Sequence, residues 1–167
     1  VGRKQFILQQ LEIATNDLAS ARAALLRFQI KNSTADLTRD IQTCQDTLRS
    51  LRADRDRHMV EIERVNALAA FFINQSQKAT TEGDSGAASG YRQSATANQA
   101  AAEGLRTAVT RLNEIIAQRE NELLSLVSLT SEYNRLQAEV RQAENNYNFL
   151  QSKLSEAQIK ENDAKAV

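Results

Sequence analysis

"SEYNRLQAEVRQAENNYNFLQSKLSEAQIK", residues 131–160, places apolar or small residues at Tyr133, Leu136, Val140, Ala143, Tyr147, Leu150, Leu154 and Ala157. They recur in alternating steps of three and four, the seam of a coiled-coil helix and too narrow a stripe to wrap a globular core. Such a stripe needs a mate, and the opposite end of the chain supplies one. Ile7, Leu11, Ala14, Leu18, Ala21, Leu25 and Phe28 repeat the same steps and predict a helix over 3–31. The phase fails across "NSTAD" at 32–36, whose short polar side chains compete with helix backbone for hydrogen bonds and suit a cap or kink. A new register runs through Leu37, Ile41, Cys44, Leu48, Leu51, Arg55, His58, Ile62, Val65, Ala69 and Phe72, predicting helix to about residue 78.

The strongest turn signal is "TTEGDSGAASG" at 80–90, which holds three of the five glycines. Beyond it a helix is expected from 90 to 164, with Leu105, Val109, Leu112, Ile116, Arg119, Leu123 and Leu126 on its seam. Its first turns, "SATANQAAAEG" at 94–104, offer only alanine and suggest fraying. Two successive steps of three, ending at Leu129, form a stammer. The stretches on either side of the glycines are nearly equal in length, so folding there pairs residues whose numbers add to about 169. Leu18 should then lie near Gln151, and the break at 32–36 opposite 133–137.

The expected fold is therefore all-α: a long antiparallel coiled-coil hairpin, about 110 Å at 1.5 Å per residue. Its first arm spans 3–78 with a kink near 32–36, its tip loop 80–90 and its second arm 90–164, all within one elongated segment, 1–167. A three-helix bundle is the alternative, but it leaves 134–164 without a mate.

Composition agrees with long helices. The chain has no Pro and no Trp, and aromatic residues make up 5%, so few bulky groups exist to fill a rounded interior. Lys plus Arg and Asp plus Glu both total 21, which creates no net field toward nucleic acid or an anionic membrane. The longest apolar run, "ALAAFFI" at 67–73, is far short of the ~18 residues of a membrane span. The start "VGRKQF" reads as a segment excised from a larger protein. Cys44, the only cysteine, lies on the seam and reads as a small buried hydrophobe.

Residue types that carry chemistry are sparse. Asp54, His58 and Glu61 stand at helical spacings, yet metal sites gather ligands from several elements, so His58 reads as part of a polar layer that fixes register. In that layer Arg55 and Glu114 could pair across the arms. Arg49, Arg52 and Arg55 share one face, diluted by Asp46, Asp54 and Asp56 into a solvated mixed-charge surface. A two-helix rod offers no concave pocket for catalysis, so no enzyme, metal or cofactor site is expected. Tyr133 and Tyr147 belong to the seam. Phe149 falls off it and reads as an aromatic rim or as a contact to a neighbouring chain. The helix–helix or oligomer contact set is Leu11, Leu18, Leu25, Tyr133, Leu136, Val140, Tyr147, Phe149, Leu150 and Leu154.

Two stretches resemble one family. "RKQFILQQLEIATNDLASARAALLRFQIKNSTADL", 3–37, is similar to the first helical motif of bacterial polysaccharide co-polymerases, the chain-length determinant and exopolysaccharide-transport proteins. "SEYNRLQAEVRQAENNYNFLQSKLSEAQI", 131–159, resembles their returning helix, with Leu-x-x-Glu-Val followed by Tyr, Leu and a run ending in Ala-x-Ile. The usual Gly-Asn-Val-Arg continuation, the flanking transmembrane helices and the kinase domain of some members lie outside this chain. The resemblance implies a non-catalytic, periplasmic arm of an inner-membrane protein, forming homo-oligomers beside a polymerase and exporter and touching the membrane only through flanking segments. The rival readings are the helical hairpin of a periplasmic adaptor in a tripartite efflux or secretion system, and a cytosolic scaffold coiled coil.

Overall fold

The computed structural model describes residues 2–166, and every secondary-structure element among them is an α-helix. Helix α1 spans Arg3–Lys31, α2 Leu37–Thr81 and α3 Ser85–Ala166. The chain divides into two compact units. Unit one comprises Val1–Asp40 and Ser125–Val167, and unit two comprises Ile41–Leu124.

In unit one, α1 packs on the later part of α3. Ile7, Ala14 and Leu18 are buried on α1 and Leu136 on α3, while Leu11, Leu25, Tyr133, Val140, Tyr147, Leu150 and Leu154 are half-buried. The ion pairs Lys4–Glu161 (3.2 Å) and Arg22–Glu144 (3.1 Å) run between the two helices and set their register. Phe28 stacks on Tyr133 at a 6.2 Å centroid distance, and the Gln29 amide donates to the Tyr133 hydroxyl at 3.4 Å. The segment that a three-helix bundle would leave unmated is thus the mate of α1.

The register differs from the expected one by about one helical turn. Leu18 shares a groove with Tyr147 and Asn148, not with Gln151. Phe28 and Gln29, not the 32–36 linker, meet Tyr133, so the linker is carried toward the stammer at 126–129. Within unit one the pairs Lys4–Glu161, Arg22–Glu144 and Phe28–Tyr133 are all displaced in the same sense from that expectation.

The exit from α1 uses Asn32, whose extended backbone (φ −123°) leaves the helix while its N–H and side-chain amide both donate to the Phe28 carbonyl, at 2.9 and 3.2 Å. One asparagine thereby satisfies a carbonyl that the helix end would otherwise orphan.

In unit two, α2 packs on the earlier part of α3. Cys44, Leu48, Val65, Ala69, Ser76 and Ala79 are buried on α2, and Ala88, Ala95, Ala102 and Ile116 on α3. The connection between these helices is three residues, 82–84, in place of the expected loop over 80–90. Gly83 adopts φ +80°, its N–H donates to the Thr80 carbonyl (3.1 Å), and the Asp84 N–H donates to that of Ala79 (2.9 Å). This pair of bonds is a Schellman cap. Asp84 then caps α3, its carboxylate accepting from the Ala87 N–H at 3.0 Å. Because one residue closes α2 and opens α3, helix resumes at Ser85 and Gly86 and Gly90 are helical.

The glycines should therefore respond with opposite signs. Gly83→Ala is expected to cost about 1 kcal/mol, since a Cβ is disfavoured at positive φ. Gly90→Ala should stabilise by about 0.5–1 kcal/mol, because its Cβ enters open space inside a helix. Urea titrations of both variants check this pair.

Candidate functional site

The chemistry-bearing residues singled out above are dispersed among local ion pairs. His58 is half-buried, and its Nδ1 lies 2.8 Å from the Asp54 carbonyl. A carbonyl only accepts, so Nδ1 carries the proton in this contact. The Asp54 carboxylate instead binds Arg57, and Glu61 binds Arg64 through both oxygens. Among the described residues no group of three His, Cys, Asp or Glu side chains is placed to share a metal ion, and no helix is long and apolar enough to cross a membrane.

Two expected positions are corrected. Arg55 pairs with its neighbour Asp56 (3.2 Å) and Glu114 with Arg111 (3.1 Å), so they do not bridge the helices. The links made in unit two are Arg52–Glu120 (3.0 Å) and Arg106 to the Asn66 side-chain oxygen (3.2 Å). Arg119, assigned to the seam, is exposed and pairs with Glu122 at 2.7 Å. Only its backbone faces inward, where its carbonyl accepts from Cys44 Sγ at 3.3 Å. An arginine at a seam position can turn its long stem outward and leave the backbone to fill the gap.

The expected contact residues fall into two groups. Leu11, Leu18, Leu25, Tyr133, Leu136, Val140, Tyr147, Leu150 and Leu154 are buried or half-buried in unit one. Phe149 is 59% exposed, with Lys153 Nζ 5.5 Å above its ring. Sequence reasoning missed the alanine seam of α3. Ala88 and Ala102 are 0% exposed and Ala95 is 3% exposed, and they lie seven residues apart with half-buried Tyr91 and Asn98 between them and Leu105 after them. The signal was present as spacing, but alanine counts for little on hydropathy. Here its small size lets the helices approach until the methyl groups are fully covered.

The termini of unit one are joined by charge. Glu161 accepts from Lys165 and pairs with Lys4, and these two contacts, Lys165 first, hold its carboxyl below the usual range. A carboxylate whose pKa falls on folding contributes stability above its unfolded value, about 4.3, and loses it as pH drops through the folded value. Protection of the amides in the first turns of α1, measured against their intrinsic exchange rates, should therefore weaken as the pH falls through the folded value of Glu161. Lys4→Gln should flatten that response, with little effect on global stability because the pair is solvated.

What the arrangement offers is helix surface: seams that bind other helices and exposed flanks between them. Comparison of the chain with family models, curated proteins and solved structures returned no match.

Proposed function

We propose that this chain is the non-catalytic, extracytoplasmic helical arm of a polysaccharide chain-length determinant or export protein. It acts by presenting helix surface to further copies of itself and to polymerase and export components. One observation supports this reading most. The two stretches that resemble the family, 3–37 and 131–159, lie at opposite ends of the sequence, yet their helices pack on each other within unit one. An outgoing and a returning helix are only meaningful as a pair if they are partners.

In this role the arm supplies geometry and no chemistry. Substituting Leu18→Asp in the full-length protein should disrupt the α1–α3 contact and shift or abolish the length distribution of the exported polysaccharide. Sugar polymerisation itself should persist. Unchanged polysaccharide together with lost efflux or protein secretion would instead favour the periplasmic adaptor.

A further inference from the structure

One groove in unit one has a lining that the helix contacts do not use up. It lies between α1 and α3, open to solvent and about 380 Å³ in volume, within the range of small-ligand sites. Leu18, Ala19 and Tyr147 give it an apolar lining, and Tyr147 is half-buried, so part of its side chain meets solvent. Thr15, Arg22, Glu144 and Asn148 add polar groups. Arg22 Nη2 donates to Glu144 Oε1 at 3.1 Å, which holds both side chains at the groove. That bond occupies one of the five guanidinium N–H groups and one of the two carboxylate oxygens. The remainder, with the exposed Asn148 amide, form a set of donors and acceptors whose charges cancel.

Such a lining selects among occupants. An ion of either sign gains no net attraction from a neutral pair. A packing helix would strip water from Arg22 and Glu144 without replacing their remaining hydrogen bonds. A pyranose meets both demands: its C–H face covers the apolar lining and the aromatic ring, while its hydroxyls donate and accept at the polar groups. A second groove between the same helices lacks this combination, because Asp17, Glu139, Gln142 and Asn146 line it with alanine, no aromatic residue and two carboxylates. We propose that the Tyr147 groove binds neutral hexopyranose units of a polysaccharide chain. The inference deepens the reading above and rests on it for the source of the sugar. An open groove excludes little water, so the contact is one of binding and not of catalysis.

Saturation-transfer NMR on this chain tests it, with maltohexaose, cellohexaose and mannohexaose as separate probes and circular dichroism to confirm that each variant is folded. The expected result is transfer to the ring C–H protons of at least one probe, with a Kd of about 1–10 mM. Asn148→Ala, at an exposed position, should weaken binding about fivefold, the loss of one hydrogen bond. Tyr147→Leu should remove the transfer, and Asn146→Ala in the second groove should change nothing. No transfer to any probe at about 20 mM sugar, undiminished transfer in Tyr147→Leu, or tighter binding of hexagalacturonate would overturn the proposal. The two readings fail separately. Sugar binding by the chain alongside normal polymer length in Leu18→Asp cells removes the export role and leaves the site, whereas altered length without sugar binding removes the site alone.

Discussion

Leu48→Ala should lower the stability of unit two by about 2–4 kcal/mol, the range for removing a fully buried leucine side chain where the surroundings collapse only in part. Leu48 is 2% exposed and the largest fully buried side chain among the described residues. A paired-helix unit has little second-layer packing to move into the space, so a cavity or a wetted gap must remain. Val60→Ala is the control: it removes a similar apolar group from a side chain that is exposed, and should change stability by no more than about 0.5 kcal/mol. Urea unfolding followed by circular dichroism measures both, and hydrogen exchange localises the loss. Equal effects from the two substitutions would mean that Leu48 is not in a core.

The second large effect has a sign that hydropathy alone gets wrong. On the sequence, Ala88 falls in the expected tip loop and Ala95 and Ala102 in a weak, alanine-only stretch, so leucine at Ala102 should strengthen the helix contact. In the structure Ala102 is already fully covered, and three added heavy atoms have nowhere to go without separating the helices. Ala102→Leu should therefore destabilise by about 1–3 kcal/mol, the usual penalty for overpacking. Ala101→Leu, one position away on the exposed side, should be close to neutral. A stabilised Ala102→Leu variant would show that this part of the seam is loosely packed.

These two cases mark how far the fold could be read from the residues. Step patterns of three and four identified the helices and their inward faces, because the identity of an apolar stripe depends on spacing alone. Ile7, Leu18, Cys44, Leu48, Val65 and Ile116 are buried where that pattern put them. The turn was less legible. Three glycines implied a long loop, but only Gly83 has a positive φ, and Asp84 caps α3 so promptly that Gly86 and Gly90 are absorbed into helix.

Charge was the least legible layer. Arg55 and Glu114 have compatible signs, yet each finds a partner on its own helix, where a neighbour one or three residues away costs less side-chain ordering than one across the seam. The same competition fills the surface with pairs such as Arg135 with Glu132 and Glu139, which raise the arginine pKa and lower that of Glu132 without linking helices. Lys4–Glu161, Arg22–Glu144 and Arg52–Glu120 are the informative exceptions because they connect distant parts of the sequence.

The pairing of α1 with residues 125–166 underlies both the fold account and the family reading, and one distance tests it. Nitroxide labels at Ala19 and Asn148, in a Cys44→Ala background and diluted with unlabelled chain, should give a narrow distribution at about 1–2 nm, as expected for neighbours across one helix–helix contact. A broad distribution, or a peak several nanometres away, would contradict the pairing.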